Sequence, residues 1–429
     1  MPTTPRNCNN TRGKMEFFLE ILSDIVRFLF FLLDVVLDIW AVVTFYQEEA
    51  YISMGVLIFV LVGSSVLVQA FSWLWYNYDS KLLSEEFEFL KKYRNRGLLG
   101  VLHVCQLGVF LRFASMMEIS LRNRNLSSKD GQKEGIVVFL SNDLRLLRLI
   151  ETFSESAPQL TLMMTIIVQR EEVEWVTGLK TLGSFAAIIS SVVMYHRATF
   201  KAKVKVKMTW MPSLVYFLWN FLLIAPRLAA VALAASTLPY GMIAVHFLLL
   251  WITFFLWAWW QKTDFMDTKT GEWLYRGTVA LIWYFCWFNV SHYDCRGRGF
   301  MYRFIIAVDS AILLGLWWWD CAQASVFGIS AWVVLVCVGS SYIVGIIVNV
   351  LYDKLCHPKR SAAKDKSDTD DSENILAPQK ACLGGETPSM DEAGMDEAGI
   401  GPIKAPSPPP PPKSLTGAQK RMQRLADIF

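Results

Sequence analysis

A chain of 429 residues that is 54% hydrophobic and 14% aromatic, with 17 Trp, carries more apolar surface than a soluble domain of its length can bury. Its formal net charge of +3 gives no basic excess that would call for a nucleic-acid partner; what matters is where Lys and Arg fall along the chain. An all-α multi-pass membrane protein is the class that remains.

In chain order, residues 1–14, "MPTTPRNCNNTRGK", are polar and basic and lack the small-residue cleavage site of a secretory leader, so a cytoplasmic tail is expected. Long, predominantly apolar stretches follow near 28–45, 52–76, 98–117, 150–169, 176–195, 211–236, 240–261, 275–290, 302–319 and 326–352. Several reach the roughly 20 residues that a helix needs to cross hydrocarbon. The positive-inside rule orients them. "YQEEAY" and "REEVEW", 170–175, are acidic and fall outside. "KKYRNR", 91–96, the loop 118–148 and "HRATFKAKVKVK", 196–207, are basic and fall inside. These assignments close only if the segment at 98–117 enters and leaves on one side.

The second half repeats this arrangement. "RGRGFMYR", 296–303, is again inside, and the segment at 275–290 is short for a span, so it too is expected to be re-entrant. The expected architecture is therefore eight transmembrane helices plus two re-entrant helical segments, with both termini cytoplasmic. They fall into two pseudo-symmetric repeats, 15–207 and 208–355, followed by a regulatory tail, 356–429.

Polar residues inside these segments carry the chemistry. Glu20, Asp24, Arg27, Asp34 and Asp38 share one face of the first helix and climb roughly 27 Å. Glu151, Glu155, Gln159 and Gln169 form a second ladder, with Pro158 freeing a backbone carbonyl near Ser154. Arg197 ends the fifth segment, Arg227 follows Pro226 in the sixth, and Asp309 lies within the ninth. Charges in lipid face the protein interior or a hydrated groove. Two readings fit them: ion pairs that only fasten helices together, or a path for a headgroup bearing both phosphate and amine.

No glycine loop for phosphate, nucleophile elbow or metal-spaced Cys/His cluster is present, so no catalytic residue, cofactor or metal is expected and the chain is read as a non-enzyme. His103, His196, His246, His292 and His357 are scattered singly, which points to structural or interfacial roles. The eight cysteines lie mostly in the membrane or on the reducing side, which argues against disulfides. Trp317–Trp319 reads as an interfacial belt. The sequons at Asn9, Asn125 and Asn289 fall inside or within the membrane and are expected to stay unglycosylated. The tail from about 357 is too polar to fold alone, with "MDEAGMDEAG" in tandem and a proline run at 406–412. Its end, Leu415 to Phe429, has the spacing of an amphipathic helix suited to docking on a surface. Within "KDKSDTDDS", 364–372, aspartates recur at the spacing an executioner caspase reads: Asp365 with Asp368 before Thr369, and Asp368 with Asp371 before Ser372.

"RLIETFSESAPQLTL", 148–162, "FSWLWYNYD", 71–79, "VYFLWN", 215–220, "TDFM", 263–266, and "EWLYRGTVALIWYFCWFNV", 272–290, together resemble the XK-related family over 17–358. The terminal "RMQRLADIF" is similar to a branch of the family switched on by caspases. The resemblance implies a phospholipid scramblase that moves lipids between plasma-membrane leaflets without ATP and exposes phosphatidylserine on apoptotic cells as an engulfment signal. It implies a lipid path through Glu20, Asp34, Asp38, Glu151, Gln169, Arg197, Arg227 and Asp309, beside which Glu155 stands on the same ladder. It also implies a single-span chaperone subunit, basigin or neuroplastin. One departure is Ser53, where relatives carry an aromatic residue after the first outer loop. A secondary transporter or channel for a small zwitterion, and a membrane scaffold that transports nothing, are the competing readings.

Overall fold

The computed structural model describes residues 32, 35–78, 96–123, 131–171, 175–204, 210–290, 295–321, 325–326, 329–352 and 354. Glu20, Asp34, the caspase-type bonds at Asp368–Thr369 and Asp371–Ser372, and the terminal amphipathic stretch lie outside these residues.

Apart from one two-residue antiparallel pair, β1 (Ser325–Val326) and β2 (Ile329–Ser330), the regular structure among the described residues is helical. The helices are α1 (Val35–Gln47), α2 (Tyr51–Tyr78), α3 (Arg96–Val104), α4 (Gly108–Asn123), α5 (Gly131–Glu151), α6 (Ala157–Arg170) and α7 (Trp175–Val204). Then come α8 (Trp210–Thr237), α9 (Tyr240–Trp260), α10 (Lys269–Phe285), α11 (Cys295–Cys321) and α12 (Ala331–Leu351). Five of them are long and apolar enough to cross a membrane: α2, α8, α9, α12 and Gly297–Asp320 within α11. A sixth crossing exists if the bent pair α3 and α4 counts as one span.

That pair is the segment expected to be re-entrant, and its arms meet at 109°. Gln106 makes the elbow with a left-handed backbone, φ 64°, and Leu107 N–H donates back to Leu102 O at 2.8 Å. The stretch 118–148, read from its charges as a loop, is largely helical, since α5 occupies 131–151.

Between α5 and α6 the chain does not break but widens into a π-turn, Thr152–Ser156, closed by the Ala157 N–H bond to Thr152 O. Pro158 is the local cause: it has no N–H for the Ser154 carbonyl, and its ring crowds that carbonyl. Hydroxyls fill in for the lost ladder. Thr152 Oγ1 donates to Arg148 O at 2.7 Å, and Ser154 Oγ donates to Ile150 O at 2.8 Å.

The main core joins α2, α5, the π-turn and α7 to α8–α11 through Phe71, Trp75, Phe153, Ile188, Phe254 and Trp283. A smaller cluster of Ala41, Phe45 and Leu57 against Leu162 and Ile166 fixes α1 and α2 on α6. Trp317 belongs to a third cluster, with Ala230 and Leu233, and is fully buried; Trp319, 85% exposed, is the member that suits an interfacial belt.

The conspicuous stretches "TDFM" and "EWLYR" turn out to be two sides of one clamp. Glu272 Oε2 accepts from Phe265 N and Met266 N at 2.9 and 2.7 Å, while Arg276 donates to Thr263 Oγ1 and Thr263 O, both at 2.9 Å. Thr268 caps α10 by accepting from Gly271 N, and Tyr78 at the end of α2 bonds its hydroxyl at 2.6 Å. The clamp pins the short, buried α10 to the ends of α9 and α2. The chain beyond α10 is extended, and Phe288 O accepts from Trp283 Nε1 at 2.6 Å.

Candidate functional site

A cavity of about 830 Å3 runs between α1, α2, α4, α5, the π-turn and α7. Its walls are mostly apolar: Val35, Leu61, Val68, Phe110, Phe113 and Leu147. Along α5 and the π-turn the lining runs from Ser141 through Arg145 and Arg148 to Glu151 and Glu155, a climb of roughly 20 Å. Asp38 enters from α1. Cations thus occupy one end of the wall and carboxylates the other. Among the described residues the exposed part of the lining is largely apolar, Val35 41%, Ile39 61% and Met194 41%, with Gln106 beside them. Such a lining offers the polar part of an amphiphile a charged wall and its chains an apolar edge.

Helix geometry explains how the acids converge. Eight residues of α-helix separate two side chains by about 80°, but the extra residue of a π-turn lets eight residues turn as seven do, leaving about 20°. Gln159 thereby falls on the Glu151 face and donates to Asp38 Oδ1 at 2.9 Å. Glu151 Oε2 in turn pairs with Arg148 Nη1 at 2.9 Å. Two hydroxyl pairs seat the turn on its neighbours, Ser64 with Ser154 at 2.7 Å and Thr152 with Ser191 at 3.0 Å.

The remaining residues of the expected path lie elsewhere. Gln169 is exposed at the end of α6, where Nε2 donates to Ser236 O at 3.3 Å. Arg197 places its guanidinium 4.9 Å from the Trp210 ring. Arg227 is fully buried in α8 and pairs with Asp309 Oδ2 at 2.5 Å, while donating to Tyr284 O and Ser310 Oγ. His246 Nε2 takes the other Asp309 oxygen at 2.9 Å, so this histidine does have a partner that spacing could not show. Of the nine path residues, Asp38, Glu151 and Glu155 share the cavity wall, whereas Arg227 and Asp309 make a separate, internally paired group.

Beside the cavity stands a pair that charge counting missed, Arg112 Nη1 with Asp143 Oδ2 at 3.0 Å, both fully buried. Arg112 also donates through Nε to Ser72 Oγ and through Nη2 to Ser72 O, and lies 4.3 Å over the Tyr76 ring. An arginine inside an apolar run is itself the signal that a partner exists. Its partner's identity has no local trace. Among the described residues no group of three or more His, Cys, Asp or Glu could hold a metal ion.

Helices of membrane length around an amphipathic cavity fit a membrane protein. The sequence profile of the XK-related protein family matches residues 22–358, and the chain belongs to that family. It is 40% identical over 352 residues to XK-related protein 8 of Tetraodon nigroviridis, covering 80% of this chain and 84% of the relative. It is 39% identical over 359 residues to XK-related protein 8 of Gasterosteus aculeatus, covering 81% and 87%. To XK-related protein 8 of Pan troglodytes it is 33% identical over 351 residues, covering 81% and 87%.

Proposed function

We propose that the protein is a phospholipid scramblase that moves lipids between the leaflets of the plasma membrane without ATP. The observation that carries the reading is a cavity in which Arg145 and Arg148 stand below Glu151, Glu155 and Asp38 on a mostly apolar wall with a largely apolar rim. A phosphate and an amine find partners there while acyl chains stay in the bilayer, which lowers the desolvation cost of carrying a headgroup through hydrocarbon. Eight spans and two re-entrant segments in two repeats, with cytoplasmic termini, belong to this proposal. So do a single-span partner, basigin or neuroplastin, and activation by executioner caspase at Asp371 or Asp368, after which phosphatidylserine is exposed on the dying cell. Membership of the XK-related family supports it.

The test is lipid transfer in liposomes holding the caspase-treated protein with its partner and no ion gradient. Transfer of labelled phosphatidylserine and phosphatidylcholine to the opposite leaflet is expected. A protein that moves no lipid but takes up a zwitterionic solute down an imposed gradient would overturn the proposal in favour of a transporter.

A further inference from the structure

We infer that His103 is a positioning residue for the elbow walling the cavity, and that it holds the elbow only while its imidazole is neutral. The consequence for transport rests on the lipid-path reading; the docking itself does not.

The elbow between α3 and α4 contributes Gln106, Val109, Phe110 and Phe113 to the cavity lining, so where it sits fixes the cavity's width. It is fastened to α2 from both arms. Ser72 Oγ lies 3.1 Å from His103 Nε2 on α3 and 3.1 Å from Arg112 Nε on α4, and all three residues are buried. At the bend, Gln69 Nε2 donates to Gln106 O at 3.1 Å.

Donor and acceptor roles around Ser72 are forced. His103 Nδ1 is 2.8 Å from Leu99 O, and a carbonyl only accepts, so Nδ1 carries the hydrogen. Arg112 Nε only donates, so Ser72 Oγ accepts there and turns its own hydrogen to Nε2. The circuit closes with a neutral imidazole. A proton on Nε2 would set two cations on one hydroxyl. Among the described residues no unpaired carboxylate faces the ring to balance a second charge, and the acceptor left over nearby, Gln69 Oε1, is neutral. The facing groups on α2 are Ser72, the Tyr76 phenol, edge-on to the imidazole at 5.6 Å, and Gln69; on α4 Arg112; on α5 Asp143, already bound to Arg112 at 3.0 Å. The elbow is therefore docked while the imidazole is neutral and released once the ring takes a second proton.

Amide hydrogen exchange over 96–116 tests this in the full-length protein in lipid nanodiscs, corrected for intrinsic rates, at about pH 7.5 and about pH 5.5. Protection is expected to fall about tenfold on acidification, and His103→Gln, which cannot titrate, should show no such step. Ser72→Ala keeps the histidine but removes its anchor, and should be poorly protected at both pH values. Equal protection of the unmodified protein at both pH values would overturn the inference, as would a pH step of undiminished size in either variant. Lipid transfer gives the second readout: faster at the acidic pH than at the neutral one in the unmodified protein, and equal at both in His103→Gln. If no lipid moves at any pH while the exchange step appears, the lipid-path reading fails and the docking inference stands.

Discussion

Each half of the bundle holds a buried, bonded pair, Arg112 with Asp143 and Arg227 with Asp309, but only the half around α5 and α7 also sets charges in front of open volume. In α8–α11 Arg227 is closed in by aromatic packing, and Asp309, His246, Tyr284 and Ser310 bond it or one another. Nearby, Phe254, Trp257, Trp283 and Trp287 pack ring against ring at separations of 5.0–6.2 Å, Trp283 and Trp287 face to face. Around α5 and α7, Arg145, Arg148, Glu151 and Glu155 instead line open volume, and hydroxyls of Ser64, Ser154, Thr152 and Ser191 help to seat the π-turn beside it. Charge in a membrane helix thus marks either a rivet or a path. Whether space stands in front of it decides which.

The largest expected effect breaks the rivet. Asp309→Ala leaves the Arg227 guanidinium buried without its carboxylate and should cost about 3–5 kcal/mol, read as a lowered thermal unfolding midpoint in detergent and reduced surface expression. Asp309→Asn, which can still accept from Arg227, should cost clearly less. At the cavity, Ser154→Ala removes one side of a buried hydroxyl pair and leaves Ser64 less satisfied; a loss of about 1 kcal/mol is expected in the same assay. Glu151→Ala should be smaller still in stability, below about 1 kcal/mol, because its partner Arg148 is 40% exposed. Its lipid transfer should nonetheless be lost with surface expression retained, and loss of expression alone would make Glu151 a rivet as well. At the surface, Glu48→Gln breaks the exposed pair with Arg170 and should change stability by less than about 0.5 kcal/mol.

Much of the helical plan was legible because hydrocarbon demands length and apolarity, and α2, α8, α9, α11 and α12 announce themselves by both. The charges on both sides of 98–117 also pointed to a segment that does not cross as one straight helix, and its two arms meet at 109°. Residues 131–151 were not legible as a helix. Arg145 and Arg148 read as loop charges when counted, although they sit on a helix whose charged face looks into a cavity. The π-turn was half visible: Pro158 pointed to a disturbed carbonyl at Ser154, but not to an added residue per turn that swings Gln159 toward Asp38. Pairs such as Arg112 with Asp143, or Asp309 with His246, join residues 31 and 63 positions apart, and no spacing rule reaches that far. For the same reason the path residues read as one constellation, although Asp38, Glu151 and Glu155 lie apart from Arg227 and Asp309.

The central claim is that lipid passes through the cavity between α1, α5 and α7. Filling it is the most direct measurement: transfer of labelled phospholipid by caspase-treated protein in liposomes, comparing Ala187→Trp, in the cavity wall, with Gly315→Trp, outside the cavity lining and where an added Cβ meets nothing within 4 Å. The account predicts that Ala187→Trp slows transfer at least about tenfold with normal surface expression, while Gly315→Trp transfers lipid as the unmodified protein does. Undiminished transfer by a well-folded Ala187→Trp protein would contradict it.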